Sequence, residues 1–330
     1  MQVQHTEGLR TLAELMRQYS GHTVQPGELQ MVSEGASGRC IARGPQPACR
    51  GIIGIYWTAA RADNASFLPA AQGLQRAGVR VPAVLAERSL PGGCGACLVE
   101  DLGSESLYSL REAARHTRRA AYTAALQELH RLHSARVDWP MQPPFDADLY
   151  RWEQAYFAEH YLIRHRAMPH DRAEQWSQHP AWRAVADELA ALPRCPVHRD
   201  YQSQNILLRG SEAWLIDFQG MRPGLPEYDL ASLLYDPYME LQDTERRELL
   251  DTWADITGKP LRPHIYYACA MQRLMQALGA FANIGYNAGN SWYLSRIAAG
   301  ERALLHAAGS TPPGTFATDL ATCLTELVRP

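Results

Sequence analysis

Lysine is almost missing from this chain: among its 32 lysine and arginine side chains, Lys259 is the only lysine. Before that position every permanent cation is a guanidinium, so chemistry that needs an amine has no residue there. Lys259 itself sits in Gly258-Lys259-Pro260. That stretch has neither the upstream glycine nor the Ser/Thr of a phosphate-binding P-loop and reads as a plain loop. Also absent are a basic-then-apolar opening segment and any apolar run long enough to cross a bilayer. A cytoplasmic protein is expected.

A strong charge imbalance is missing too. A formal net charge of −3 offers no broad attraction to nucleic acid or anionic membrane, and neither is expected as a partner. Seven cysteines, an odd number, are scattered at 40, 49, 94, 97, 195, 269 and 323, which argues for reduced thiols. Cys94-Gly-Ala-Cys97 has C-x-x-C spacing. A zinc site would want a second pair or nearby histidines, and a redox site a strand-to-helix setting. The pair is therefore read as structural. Repeats and low-complexity segments are absent.

What is there suits a soluble globular chain. With 330 residues, 46% apolar and 20% charged, it has material for a good core and two lobes or domains. Apolar residues at 9, 12, 15, 16 and 19 predict a helix over 6–20. Two short apolar runs then flank Ser33, Glu34, Gly35, Ala36, Ser37 and Gly38. A turn of small residues between strands can approach phosphates closely and offer backbone N–H groups. GIIGIYW (51–57) is the next strand, 64–77 a helix, and CLVEDLG (97–103) an apolar strand stopping at Glu100-Asp101. From 104 the pattern turns helical, with two helices expected over 106–135. His130 and His133 lie three apart there and are assigned to packing and capping. The helix over 149–166 carries two aromatic stripes, Trp152 with Tyr156 and Glu153 with Phe157 and Tyr161. Such faces suit a sugar ring and its hydroxyls, or a core.

The chemistry concentrates in VHRDYQSQNILLRGSEAWLIDFQ (197–219). Its pattern is H-x-D-x-x-x-x-N followed by an apolar run ending in I-D-F. Phosphoryl transfer needs a carboxylate to orient the attacking hydroxyl, and oxygen ligands for the metal that bridges the nucleotide phosphates. Asp200 suits the first task; Asn205 and Asp217 suit the second. ILL (206–208), RGSE (209–212) and WLI (214–216) predict a hairpin between these last two residues.

HRDYQSQN, LIDFQ and PGLPEYDLASLLYDPY (223–238) resemble the aminoglycoside phosphotransferase and choline kinase superfamily. VEDLG and QRLMQALGAF resemble in particular its bacterial anomeric sugar kinases, which act on the C1 hydroxyl of N-acetylmuramate and N-acetylglucosamine in cell-wall sugar recycling. The resemblance implies an α+β, bilobal, protein-kinase-like fold. Its sheet-rich nucleotide lobe would span 1–101 and its mainly helical catalytic lobe 102–330. It implies ATP and Mg²⁺ as cofactors, with adenine at the backbone of Glu100 and Leu102 and phosphates under Ser33 and 35–38. Asp229 would brace the catalytic loop, with His198 in support. Arg199, Glu153 and Arg273 are the candidates for the acceptor sugar, and a monomer is expected.

The superfamily's lysine on the third strand is missing, as is an acid on the following helix beyond Asp63. Arg39, Arg43, Arg61, or backbone and metal alone are the alternatives for phosphate charge. Two rivals remain: an aminoglycoside or choline-type phosphotransferase, disfavoured by the mixed charge of 137–175, and a nucleotide-binding pseudokinase, disfavoured by the intact Asp200–Asn205–Asp217 set.

Overall fold

The computed structural model describes residues 2–33 and 39–328. Gly35, Ala36, Ser37 and Gly38 lie outside the described residues, as does the side chain of Ser33, whose backbone ends a strand. The chain forms two compact units. One comprises 1–105, 135–142 and 207–221, the other 106–134, 143–206 and 222–330.

The first unit is built on an antiparallel sheet of β1 (Gln30–Ser33), β2 (Cys40–Arg43), β3 (Ile52–Trp57), β4 (Val84–Ser89) and β5 (Gly95–Glu100), in the order β1-β2-β3-β5-β4. The opening helix, expected over 6–20, already begins at Gln2 and ends at Ser20. Its buried Leu12, Ala13, Leu15 and Met16 join Ala42, Ile52, Tyr56 and Leu98 in one apolar cluster, the main driving force for this layer. Gly54 permits the close approach: a Cβ there would lie 2.9 Å from Leu12 and 3.0 Å from Met16. The helix expected over 64–77 is Phe67–Arg76, entered through a 3₁₀ turn at Ala62–Ser66.

The predicted hairpin is present as Ile206–Arg209 paired with Glu212–Leu215. From Leu207 onward it belongs to this first unit. Leu208 N–H donates to the Glu105 carbonyl and Leu215 N–H to that of Arg80, both at 2.8 Å. Arg80 also pairs with Glu212 at 2.7 Å. Cys97 is fully buried and Cys94 half-buried, both as free thiols. Burial, with the Glu87 charge adding, pushes the Cys97 thiol up to about 12, so it is inert at neutral pH.

The second unit is helical apart from a ribbon of Cys195–Val197 with Arg222–Gly224. Where two helices were expected over 106–135 there is one, Arg115–His133, preceded by a 3₁₀ turn at Leu107–Leu110. The aromatic helix starts at Ala147, capped by Asp146, and from Ala158 to His165 it widens into a π-helical stretch. Pro226–Leu234 is a helix and carries Asp229. Pro263–Asn287 is the central helix, apolar around most of its circumference and buried accordingly. Among the described residues no helix is long and apolar enough to cross a membrane.

One ion pair anchors the end of β5. Arg43 holds Asp101 through two bonds, Nε–Oδ2 at 2.5 Å and Nη2–Oδ1 at 3.1 Å, and Gly103 N–H donates to the same carboxylate at 2.9 Å. Burial alone would raise the Asp101 pKa; the Arg43 and Gly103 bonds and the Arg43 charge outweigh it and hold the carboxyl below its usual range. A lowered folded pKa contributes stability above the unfolded value of about 3.9, lost as pH falls through the folded one. Asp101→Asn is therefore expected to cost about 1–2 kcal/mol near neutrality. In urea titrations across pH, the gap from wild type should close on acidification.

Candidate active site

In the second unit the loop following Val197 is shaped by its own polar groups. Asp229 is fully buried and accepts the N–H of His198 at 2.7 Å and of Arg199 at 2.9 Å. Nε2 of His133 lies 3.0 Å from the same carboxylate. Arg199 has a φ of 78°, a left-handed backbone that is uncommon for a non-glycine residue and that persists only where surrounding bonds fix it. Tyr201 donates its hydroxyl to the Ala125 carbonyl, and Ser203 N–H donates to buried Asp236. Asn205 then folds back, its Nδ2 donating to the Asp200 carbonyl at 2.9 Å. That leaves its carboxamide oxygen as an acceptor, the donor type that hard divalent cations take.

Asp200 keeps a third of its side chain exposed, with a guanidinium behind it: Arg273 Nη2 is 3.6 Å from Asp200 Oδ1. Arg273 is itself held by Ser232 (3.1 Å), Gln276 (2.5 Å) and Gln202 (3.2 Å). Burial works against its charge, the Asp200 carboxylate works for it, and the net direction is up. The contact this arginine makes in the structure is with a carboxylate, that of Asp200. Arg222, buried over the Phe145 ring at 5.2 Å, joins the same charge field. Burial lowers its pKa first and the Arg199 charge lowers it further, with Glu153 and Asp200 opposing.

Glu153 lies elsewhere than an open sugar-binding face. It is fully buried and accepts from the Tyr228 hydroxyl at 3.1 and 3.2 Å and from Gln272 Nε2 at 3.1 Å. Burial raises its pKa, opposed by Arg199, Gln272, Arg273 and Tyr228. The two stripes of its helix thus part company. Glu153, Phe157 and Tyr161 point into the core, whereas Trp152 is half-exposed and stacks on Tyr156 at 5.1 Å.

In the first unit Asp217 follows the hairpin with φ 65° and ψ 32°. The residue after it fixes its place: Phe218 is buried and stacks on Phe67 at 5.1 Å. Arg39, 8% exposed, donates through Nη2 to Asp217 and through Nη1 to Gln219 Oε1 at 3.0 Å. Gln219 Nε2 in turn donates to Asp217 at 3.0 Å. The other two arginines considered for phosphate charge are committed elsewhere, Arg43 to Asp101 and Arg61 to Asp63. Glu100 ends β5 with its carboxylate on Arg209. Leu102 is nearly buried just beyond, where the chain leaves the sheet. No cluster of three or more His, Cys, Asp or Glu forms a metal cage among the described residues. Asn205 and Asp217, each in its own unit, carry oxygens of the type magnesium takes.

Sequence reasoning missed His133, Arg222, Gln202 and Gln219. Spacing marked only His133, three from His130, and there it was assigned to packing and capping; the partners of the others are remote or appear only once the loop is folded.

The five-stranded antiparallel sheet of the first unit and the helices of the second give the chain a protein-kinase-like fold, and it is a phosphotransferase. The chain belongs to the APH phosphotransferase enzyme family, whose profile matches residues 53–264. It is 28% identical over 287 residues to the N-acetylmuramate/N-acetylglucosamine kinase of Pseudomonas aeruginosa, covering 83% of this chain and 82% of that one. Its fold matches a choline/ethanolamine kinase family protein from Mesorhizobium loti with a TM-score of 0.63 at 15% identity, over 98% of this chain and 99% of that one. It also matches an aminoglycoside phosphotransferase solved with streptomycin and ATP, with a TM-score of 0.55 at 12% identity, over 83% and 91% of the two chains.

Asp229→Ala would strand two buried N–H groups, each costing about 1–3 kcal/mol. Its unfolding free energy is expected to drop by about 3 kcal/mol or more. Asp229→Asn, which keeps one acceptor oxygen, should lose less stability yet turn over at least about tenfold more slowly, because the loop loses one of its two bonds. Chemical denaturation and steady-state rates of both variants check this.

Proposed function

We propose that this enzyme is an ATP-dependent sugar kinase that phosphorylates the anomeric C1 hydroxyl of N-acetylmuramate or N-acetylglucosamine. The observation that carries the reading is Asp200: a partly exposed carboxylate on a loop fixed at both ends, with a buried guanidinium 3.6 Å behind it. Such a group orients an acceptor hydroxyl for in-line attack and takes its proton. An anomeric hydroxyl is more acidic than an ordinary alcohol, so a modest base suffices.

The remaining roles follow from donor chemistry. Asn205 and Asp217 supply oxygens for Mg²⁺, which when bound neutralises charge on the transferring phosphate. The backbone at Glu100 and Leu102 would take the adenine edge, and the phosphates are assigned to Ser33, Gly35, Ala36, Ser37 and Gly38. Arg199 and Arg222 give the acceptor side positive potential, which favours a sugar acid such as N-acetylmuramate over a polycationic aminoglycoside. Glu153 acts through Tyr228 and Gln272, as a support and not a sugar contact. The name of the P. aeruginosa relative supports the sugar class, and the ATP bound to the aminoglycoside phosphotransferase supports the nucleotide. Recycling of cell-wall sugars in the cytoplasm is the setting this reaction suits, and the protein would act as a monomer.

The test is magnesium-dependent ATP consumption over N-acetylmuramate, N-acetylglucosamine, glucose, kanamycin and choline, with phosphorus NMR of the product. Turnover on the N-acetyl sugars with phosphate at C1 is expected. Asp200→Asn should lose roughly a thousandfold or more in kcat while binding nucleotide as wild type does. Turnover confined to kanamycin or choline would sink the sugar assignment, and silence on every acceptor with ATP still bound would leave a pseudokinase.

A further inference from the structure

A buried guanidinium bonded to the carboxylate that ends the hairpin has no counterpart among the roles assigned so far. Arg39 precedes β2, is 8% exposed, and reaches Asp217 directly and through Gln219. An unpaired charge so deep would be very costly, and Asp217 compensates it. Asp217 is not enclosed by this pairing, since 37% of its side chain faces solvent. Its carboxylate has room for a further ligand.

We infer that Arg39 is the nucleotide-phosphate cation of this enzyme, and that it works by exchange with Asp217. This rests on the reading of Asp217 as a cation ligand in a nucleotide-using kinase. Without nucleotide, Arg39 neutralises Asp217. With Mg·nucleotide, Asp217 turns its charge to the divalent ion, and the like charges of ion and guanidinium weaken the old pair. Arg39, released from Asp217, would take a phosphate oxygen of the bound nucleotide, an acceptor that its planar five-donor fork suits.

Three observations favour Arg39. β3 carries no lysine, and the helix Phe67–Arg76 that follows carries no acid to hold one. Arg43 and Arg61 are committed to Asp101 and Asp63. Arg39 is the guanidinium that bonds the carboxylate closing the I-D-F run. Its entry from the strand beside β3 puts the cation near the place a lysine on β3 would serve, since the following residue, Cys40, pairs with Tyr56.

The exchange predicts effects of opposite sign. MgADP binding is measured by calorimetry and Mn²⁺ binding without nucleotide by electron paramagnetic resonance. Arg39→Gln should weaken MgADP by at least about tenfold, because a charge-assisted phosphate bond is lost. The same variant should tighten Mn²⁺ alone, because Asp217 is no longer neutralised. Arg39→Lys should fall between Gln and wild type for MgADP. In Asp217→Asn, metal-free ADP should bind more tightly than in wild type, and the gain should vanish in the double variant with Arg39→Gln. MgADP affinity unchanged in Arg39→Gln overturns the inference; so do parallel losses of MgADP and Mn²⁺, which mark a merely structural arginine. If Arg39→Gln does not fold, Asp217→Asn decides alone: metal-free ADP bound no better than by wild type overturns the exchange. Wild type that binds no MgADP overturns the nucleotide reading itself, and this one with it.

Discussion

Two successive backbone N–H groups, those of His198 and Arg199, end on one fully buried carboxylate. Backbone donors buried without partners are costly, so Asp229 and the loop must come to their places together. The left-handed backbone at Arg199 is held by that coupling. The direction in which Asp200 leaves the chain follows from it. His133 closes the Asp229 site from the long helix Arg115–His133. The course of the loop at Asp200 thus rests on the end of one helix, on a ribbon and on a second helix, with His133 far from the others in sequence.

Each unit also solves the same electrostatic problem with arginine. In the second, Arg273 lies behind Asp200 and is kept from being a lone buried charge by Ser232, Gln276 and Gln202. In the first, Arg39 and Gln219 close around Asp217. A guanidinium suits such places because its five donors can satisfy several acceptors at fixed angles, and because it stays charged where burial would neutralise an amine.

The parts of the site legible in the sequence were those whose chemistry and spacing coincide. Asp200, Asn205 and Asp217 stood out because carboxylate and amide groups at that separation, with a hairpin between, seldom arise from turn formation and capping alone. Four of the sheet's five strands were visible as short apolar runs, and Asp229 through resemblance. Arg39 was not separable from Arg43 and Arg61, since what distinguishes them is a partner: Asp217 lies far along the chain, and Asp101 and Asp63 are equally acidic. Glu153 shows the limit of helical periodicity. Spacing sorted its helix into two stripes, yet both carry aromatic rings, so only packing decides that Glu153 faces Tyr228 while Trp152 faces water. The central hairpin read correctly as a hairpin. Its membership in the first unit depends on Glu105 and Arg80, which no local pattern reveals.

The choice of a guanidinium beside Asp217 has a consequence for reagents. Reagents that seek a nucleophilic amine meet at Arg39 a group that stays protonated and does not attack. The sole lysine, Lys259, is exposed in the turn after the helix Asp243–Thr257, behind the left-handed Gly258. An amine-directed dye therefore finds one side chain on the whole molecule, and it would report on that helix end while leaving Arg39 and Arg273 chemically untouched.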